Sequence, residues 1–138
     1  MTRLIGGKHP YRAEDDILCL VVRGVFDRDD MEEFLSAAEE VIAQHKDVYV
    51  LGNLREMSEL TLAARKYTVR WLETNPCAGA VYYGTSVFTR AVVVLVSRGI
   101  NLLTNTKLPV GITDTEEEAR KWIDRQRLRA RRPESSGV

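Results

Sequence analysis

The sequence is poor in the residues that most often build metal, redox and disulfide sites. Its 138 residues include two cysteines and two histidines, and no Cys-x-x-Cys motif occurs. The spacing of His9 and His45 suits no zinc site, so we expect no metal and no cofactor. Cys19 and Cys77 both lie in apolar, strand-like runs, where a free cysteine usually behaves as a small buried hydrophobe.

The chain also lacks a net charge, since 20 basic residues balance 20 acidic ones. The charges are unevenly placed: residues 27–40 carry seven acids and one base, and residues 119–132 carry seven bases and one acid. Runs of charge usually face water, so we interpret both as solvated helix faces, with docking to a charged partner as the alternative. We expect no nucleic-acid binding, because no aromatic residue beyond Trp122 interleaves with the basic run.

Long apolar runs and catalytic patterns are scarce as well. Residues 86–103 fall short of the roughly 20 apolar residues that span a bilayer, and Arg90 and Arg98 interrupt them. The first residues contain no apolar signal-peptide core, so we expect a cytoplasmic protein, with peripheral membrane contact left open. We expect no enzyme, because His9 lies in the amino-terminal region, of which residues 1–7 are predicted to be frayed or an edge, and His45 lies at a helix end.

What the sequence does contain is an alternation of buried strands and amphipathic helices. The predicted strands are residues 8–13, 17–22, 48–51, 77–83 and 110–113, and the predicted helices are residues 29–46, 62–74, 86–103 and 115–132. Such alternation gives an α/β fold with a mixed, mostly parallel sheet, here of about five strands with four helices. We expect one domain over residues 1–132 and a disordered tail over residues 133–138.

Local signals place the element boundaries. Asp29, followed three residues later by Glu32, predicts a capping box at the start of the first helix. Residues 54–60 are predicted to form a loop that leads to Thr61, which caps the second helix. The glycine and alanine residues within 77–83 indicate that a helix packs closely on that strand.

The most apolar segment, residues 86–103, is the one around which the fold is organised. Its valines favour a strand, but its length and the helical spacing of its polar residues favour a helix; those residues are Arg90, Ser97, Asn101 and Asn105. The remaining circumference is wider than the apolar stripe with which a helix covers one face of a sheet. We expect more core, a second subunit, a lipid or a membrane surface to cover the excess.

Four soft patterns between residues 17 and 122 point to a known family. They are the turn at residues 24–26 before an acidic helix, the Asn53 segment leading to Thr61, the strand at 79–83 before an apolar helix, and residues 117–122. In these the chain resembles the SpoIIAA-like branch of the STAS domains, which is itself similar to the CRAL-TRIO lipid-binding domains. The resemblance implies a small, non-catalytic α/β module that forms homodimers and contacts membranes or apolar ligands through mobile helices.

The resemblance also implies a regulatory site, because anti-sigma-factor antagonists of the STAS group carry a phosphorylatable Ser or Thr before the helix that follows the third strand. Ser58 and Thr61 match that region. The chain departs from the pattern, since it lacks the Asp-Ser-Gly-like signature and has Asn53 where an Asp is expected. Glu56 and Glu59 add negative charge that opposes phosphorylation, and Thr61 is interpreted as a plain helix cap.

Two functions follow as hypotheses. The first is a non-enzymatic STAS-like binding module, most simply a homodimer, that presents its apolar helix to a lipid-like ligand, a membrane or the second subunit. Its candidate residues are Phe88, Arg90, Val92, Leu95, Val96, Arg98 and Leu103. The alternative is a regulatory protein-interaction domain that docks through residues 53–61, with Asn53, Ser58 and Thr61 as its candidate residues.

Overall fold

The computed structural model describes residues 2–104 and 107–131, and within them six strands form one sheet in the order β1 to β6. The strands are β1 (Arg3–Ile5), β2 (His9–Glu14), β3 (Ile17–Phe26), β4 (Tyr49–Leu60), β5 (Gly79–Tyr83) and β6 (Val110–Thr113). The helices are α1 (Arg28–His45), α2 (Leu62–Leu72), α3 (Val87–Leu103) and α4 (Glu116–Arg131). The predicted α/β class and four helices are confirmed.

The sheet is mixed and mostly parallel, as predicted. Strands β3 to β6 pair in parallel, while β1 and β2 form an antiparallel edge on β3. Residues 1–7 were predicted to be frayed or an edge, and Arg3–Ile5 of them form the edge strand β1, where Ile5 is fully buried. Gly6 and Gly7 both have positive φ angles, 59° and 73°, which allow the tight turn back to β2.

The helices divide unequally between the two faces of the sheet. Helices α1, α2 and α3 pack on one face, over a core that includes Phe34, Trp71 and Val93. Helix α4 alone covers the other face, where Ala119 and Ile123 are fully buried. The larger core therefore lies between the sheet and these three helices, and α3 covers part of it.

Helix α4 packs closely on β5 and β6, as the small residues of the fourth predicted strand indicate. A Cβ atom at Gly79 would lie 3.0 Å from Trp122, and one at Gly111 would lie 2.5 Å from the indole nitrogen of Trp122. Glycine at both positions therefore allows the indole to lie against the sheet. This face of the sheet is closed by direct helix–strand contact.

The cap of α1 differs from the predicted one. Asp27, not Asp29, is the N-cap residue: its Oδ1 accepts a hydrogen bond from Asp30 N at 2.9 Å, and Asp27 N donates to Asp30 Oδ2 at 3.0 Å. The capping box is therefore Asp27 with Asp30 rather than Asp29 with Glu32. The chain leaves β3 at Phe26, so the helix begins two residues earlier than the sequence pattern indicated.

Strands β3 and β4 are both longer than predicted, and the predicted loop over residues 54–60 is wrong. Strand β3 continues through Gly24, whose φ is 77°, and β4 continues to Leu60. The two strands stay paired as far as Phe26 and Leu60, with two shifts of register. Pairing with β5 stops at Asn53, so the last part of β4 is hydrogen-bonded to β3 alone.

The basic end of α4 is not a simple overhang. Arg127 forms an ion pair with Asp16 in the β2–β3 turn and lies over the ring of Tyr49, 5.6 Å from its centroid. Arg125 and Arg129 are exposed, as predicted. Asn105 and residues 132–138, including the predicted tail, lie outside the described residues.

Candidate ligand site beneath helix α3

Helix α3 forms where the sequence predicted it, in spite of its valines. The hydroxyl of Ser86 caps it by accepting a hydrogen bond from Thr89 N at 3.1 Å. Gly84, with a φ of 76°, turns the chain from β5 into this cap. The helix then runs back along the sheet and ends at Leu103.

Most of α3 is not covered by the rest of the chain. Only Thr89, Val93 and Ile100 of its 17 residues are buried. Five large apolar side chains have 67% to 91% of their surface exposed; they are Val87, Phe88, Leu95, Leu102 and Leu103. Leaving an aliphatic or aromatic side chain in water costs about 1.5–3 kcal/mol relative to burying it, so this face favours a partner.

A cavity of about 130 Å³ lies between α3, α1, α2 and the sheet. On the α3 side it is lined by Val92, Val93, Val96 and Ile100, and β5 contributes Tyr82 to its wall. No charged residue lies among its lining residues. The volume is close to that of an engineered apolar cavity of about 150 Å³ that binds benzene.

Four polar side chains on the cavity wall have their hydrogen bonds within the protein. Thr68 Oγ1 donates to Ala64 O at 3.0 Å, and Ser97 Oγ donates to Val93 O at 2.7 Å. Trp71 Nε1 donates to Glu39 Oε2 at 3.0 Å. The Cys77 thiol lies 3.6 Å from Gly79 O. These four side chains therefore offer a ligand no unused donor hydrogen.

The titratable groups of the wall are uncharged. Burial raises the pKa of the Cys77 thiol to about 12. Burial also raises the pKa of Tyr82 well above its usual range. Both groups therefore stay protonated near neutral pH, and neither offers a thiolate or phenolate nucleophile. The site is suited to binding rather than to covalent chemistry.

The structure divides the predicted residues of the apolar helix into two groups. Val92 and Val96 line the cavity, whereas Phe88, Leu95 and Leu103 are exposed on the outer surface. Arg90 and Arg98 are also exposed, and Arg90 lies 4.0 Å from the carboxylate of Asp114. These two groups cannot be separated from the sequence alone, because the cavity depends on how α1, α2 and β5 meet α3.

The cavity residues in β5 and just before it are ones that sequence reasoning missed. The sequence predicts Cys77 only as a small buried hydrophobe and Tyr82 only as part of a strand. No local pattern in the sequence indicates this wall, because it depends on which strand residues pair, as Tyr82 does with Gly52. The Tyr82 ring occupies the space over Gly52, where a Cβ atom would lie 2.6 Å from Tyr82 Cδ1.

The predicted regulatory residues lie in β4 and at its end rather than in a loop. Asn53 Oδ1 accepts a hydrogen bond from Arg55 N at 3.0 Å, and Ser58 is an exposed strand residue. Thr61 is the N-cap of α2, and its Oγ1 accepts from Ala64 N at 3.1 Å. The interpretation of Thr61 as a helix cap is confirmed.

His9 is fully buried, which corrects its predicted place in a frayed segment. Its Nδ1 accepts a hydrogen bond from Arg23 N at 2.9 Å, and its Nε2 lies 3.3 Å from Asp30 Oδ2. Burial lowers the pKa of His9, although Asp30 acts in the opposite direction. The neutral imidazole of His9 therefore links β2, β3 and the first turn of α1. It has a structural role there and is not accessible to a substrate.

The described residues contain neither a metal-binding cluster nor a helix that could cross a membrane. Residues 2–104 and 107–131 hold no group of three or more His, Cys, Asp or Glu side chains that could bind a metal ion. None of the helices within those ranges combines the length and the apolar character needed to cross a bilayer.

The family can be identified once this fold and site are known. A family model described as SpoIIAA-like matches residues 17–124, which is most of the chain. The chain belongs to the SpoIIAA-like family. The resemblance drawn from the sequence is thus confirmed, and domains with this STAS-type fold are typically non-catalytic. No protein with curated function shows significant similarity to the chain.

Solved structures of the SpoIIAA-like fold are similar to this one. The anti-sigma factor antagonist SpoIIAA in its unphosphorylated form matches with a TM-score of 0.56 and 16% identity, over 84% of this chain and 97% of that chain. An uncharacterized protein with a SpoIIAA-like fold from Shewanella loihica PV-4 matches with a TM-score of 0.56 and 15% identity, over 83% and 90%. At such identities the likeness concerns the fold alone.

Proposed function

We propose that this SpoIIAA-like protein is a non-enzymatic binding module that holds an apolar, lipid-like ligand between α3 and the sheet. The observation that carries the proposal is that α3, with three buried residues, covers a cavity of about 130 Å³ whose lining has no charged residue. Apolar pockets of this kind bind ligands by removing apolar surface from water.

The weak attachment of α3 supports the same proposal. Its buried contacts are few, and the ion pair between Arg90 and Asp114 joins exposed side chains 4.0 Å apart. Exposed ion pairs contribute about 0–1 kcal/mol. Moving α3 away from the sheet therefore exposes two large buried side chains, Val93 and Ile100, and breaks no strong ion pair, so the cavity can widen for a ligand larger than its present volume.

Filling the cavity from α3 tests this function. Val96 lines the cavity and Leu95 is its exposed neighbour, so we expect Val96→Phe to abolish binding of ethylbenzene in titration calorimetry. Leu95→Phe adds a ring on the outer surface and should leave the binding unchanged. A wild-type protein that binds neither ethylbenzene nor longer apolar compounds would contradict the proposal.

We also propose that the outer face of α3 contacts an anionic membrane. The helix carries Arg90 and Arg98 and no acidic residue, and its exposed side chains include Phe88, Leu95 and Leu103. Apolar side chains beside arginines suit the boundary between acyl chains and phosphate groups. This surface is separate from the cavity wall, so the two interactions can be tested independently.

Flotation with vesicles that contain anionic lipid tests the membrane contact. We expect wild-type protein to float with the vesicles and Leu95→Asp to stay behind, because the substitution places a charge in the apolar face. Leu128→Asp is the matched control, since Leu128 is an exposed leucine on α4. Wild-type protein that does not bind vesicles and sediments as a dimer would contradict the membrane contact. If Leu95→Asp then dissociates that dimer, a second copy of the chain covers this face.

A regulatory docking function through residues 53–61 is the alternative. The fold is similar to that of an anti-sigma factor antagonist, and the edge of β4 after Asn53 is not paired with β5. Ser58 is exposed there, whereas the Thr61 hydroxyl is engaged as a cap. A monomeric protein that binds neither apolar compounds nor vesicles would favour this alternative.

A further inference from the structure

Tyr82 occupies a fixed position on the cavity wall. It lies on β5, paired with Gly52 of β4 and Ile112 of β6. A Cβ atom at Gly52 would lie 2.6 Å from Tyr82 Cδ1 and 2.9 Å from Cε1, so the phenol ring lies directly against the Gly52 backbone. The ring is held on the α3 side of the sheet, where it lines the cavity.

The Tyr82 hydroxyl differs from the other polar groups of the wall. Thr68, Trp71, Ser97 and Cys77 all have hydrogen-bond acceptors within the protein. Tyr82 is half-buried, and its hydroxyl has no hydrogen-bond partner among the described residues. A phenol hydroxyl that donates to no protein group, on the wall of an apolar cavity, leaves one donor free for a ligand.

We infer that the cavity beneath α3 binds a neutral apolar molecule that carries one hydrogen-bond acceptor, such as a carbonyl oxygen, and that Tyr82 donates its hydroxyl hydrogen to that acceptor. This inference rests on the proposed function of the cavity and specifies the class of ligand. It makes Tyr82 the residue that distinguishes such a molecule from a hydrocarbon of the same shape.

The lining excludes charged ligands from this class. No lysine, arginine or histidine lines the cavity, so a carboxylate or phosphate placed inside it would have no counter-ion. An ionised group without a partner in such surroundings is strongly unfavourable. A neutral carbonyl, which accepts one hydrogen bond, is satisfied by the single donor that Tyr82 provides.

A pair of ligands with the same shape tests the inference. Acetophenone carries a carbonyl oxygen, ethylbenzene does not, and both are close in size to the ligand of a 150 Å³ cavity. We expect Tyr82→Phe to weaken acetophenone binding about fivefold, as the loss of one neutral hydrogen bond does, and to leave ethylbenzene binding unchanged. Titration calorimetry of both ligands on both proteins gives the four constants needed.

Tyr83→Phe is the matched control. Tyr83 lies next in the strand but on the opposite face, where its hydroxyl donates to Glu116 Oε1 at 3.2 Å. This variant should change the affinity for neither ligand. Thermal unfolding without ligand supplies a second measurement: Tyr82→Phe should unfold close to the wild-type temperature, because the hydroxyl that it removes makes no hydrogen bond within the described protein.

The possible outcomes separate this inference from the proposed function. If ethylbenzene and acetophenone both bind wild-type protein and Tyr82→Phe affects neither, the cavity binds apolar ligands but Tyr82 does not recognise an acceptor, and the inference is overturned. An equal loss of affinity for both ligands also overturns it, because it indicates a change of cavity shape. If neither ligand binds wild-type protein, the proposed function fails first.

Discussion

At the scale of single residues, His9 shows how tertiary packing changes the meaning of a side chain. In the sequence it lies between a glycine pair and a proline, a pattern that is typical of a frayed terminal segment. In the structure its ring contacts Phe26 edge-on, with centroids 4.8 Å apart, and it lies beside Asp30. No local pattern predicts this burial, since the contacts come from β3 and α1, more than a dozen residues away.

This position predicts a dependence of stability on pH. The pKa of His9 lies below its ordinary value of 6.5, because burial disfavours the imidazolium more than Asp30 favours it. As the pH falls below about 6.5, the unfolded chain takes up a proton on His9 that the folded chain does not. The free energy of unfolding should therefore decrease from that pH down to the lower pKa of the folded state.

Urea unfolding at about pH 7.5 and about pH 5 measures this dependence. His9→Gln, which cannot be protonated, should show a smaller decrease than wild-type protein. His45 lies exposed in the last turn of α1, so His45→Gln should keep the wild-type decrease. Equal pH dependence of His9→Gln and wild-type protein would show that His9 is not responsible.

At the scale of elements, the sequence predicted every helix and every strand except β1. Periodic apolar residues clearly predict α1, and continuous apolar runs predict the buried parts of β3 and β4. The far ends of those strands were missed because residues 55–59 are mostly polar, and their strand conformation depends on pairing with β3. A three-residue strand such as β1 carries no recognisable pattern of its own.

The two candidate caps of α1 can be distinguished by substitution. Asp27 accepts the hydrogen bond from Asp30 N, so Asp27→Ala should lower the free energy of unfolding by about 1 kcal/mol. Asp29 lies exposed in the first turn and pairs only loosely with Arg28, at 3.7 Å. Asp29→Ala should cost about 0.3 kcal/mol or less, as a charge near a helix end does.

Denaturant unfolding of both variants in the same buffer checks this difference. If Asp29→Ala cost more than Asp27→Ala, the helix would begin where the sequence alone suggested. The comparison is sensitive because both substitutions remove one carboxylate from the same end of the helix. The change in net charge is therefore the same, and the lost cap is the main difference between them.

At the scale of the whole molecule, the two faces of the sheet are covered in different ways. Helix α4 lies directly on glycines of β5 and β6, and Arg120 joins it to Glu14 at 2.9 Å. Helix α3, on the other face, leaves a cavity between itself and the sheet. The apolar excess of α3 could be read from its composition, but the cavity could not, because its volume depends on the spacing of four elements.

This asymmetry predicts that α3 opens more readily than the rest of the fold. Local opening is easiest where few apolar contacts are buried, so backbone amides of Val93 to Val96 should exchange with solvent faster than those of α1 near Phe34 or α4 near Ile123. Native-state hydrogen exchange measures all three helices in one experiment.

A neutral apolar ligand such as ethylbenzene should slow exchange in α3 and leave α4 unchanged, because it binds only the face that α3 covers. If the amides of α3 were as well protected as those of α1 in the ligand-free protein, α3 would be a fixed part of the core. A ligand would then have no route into the cavity beneath it.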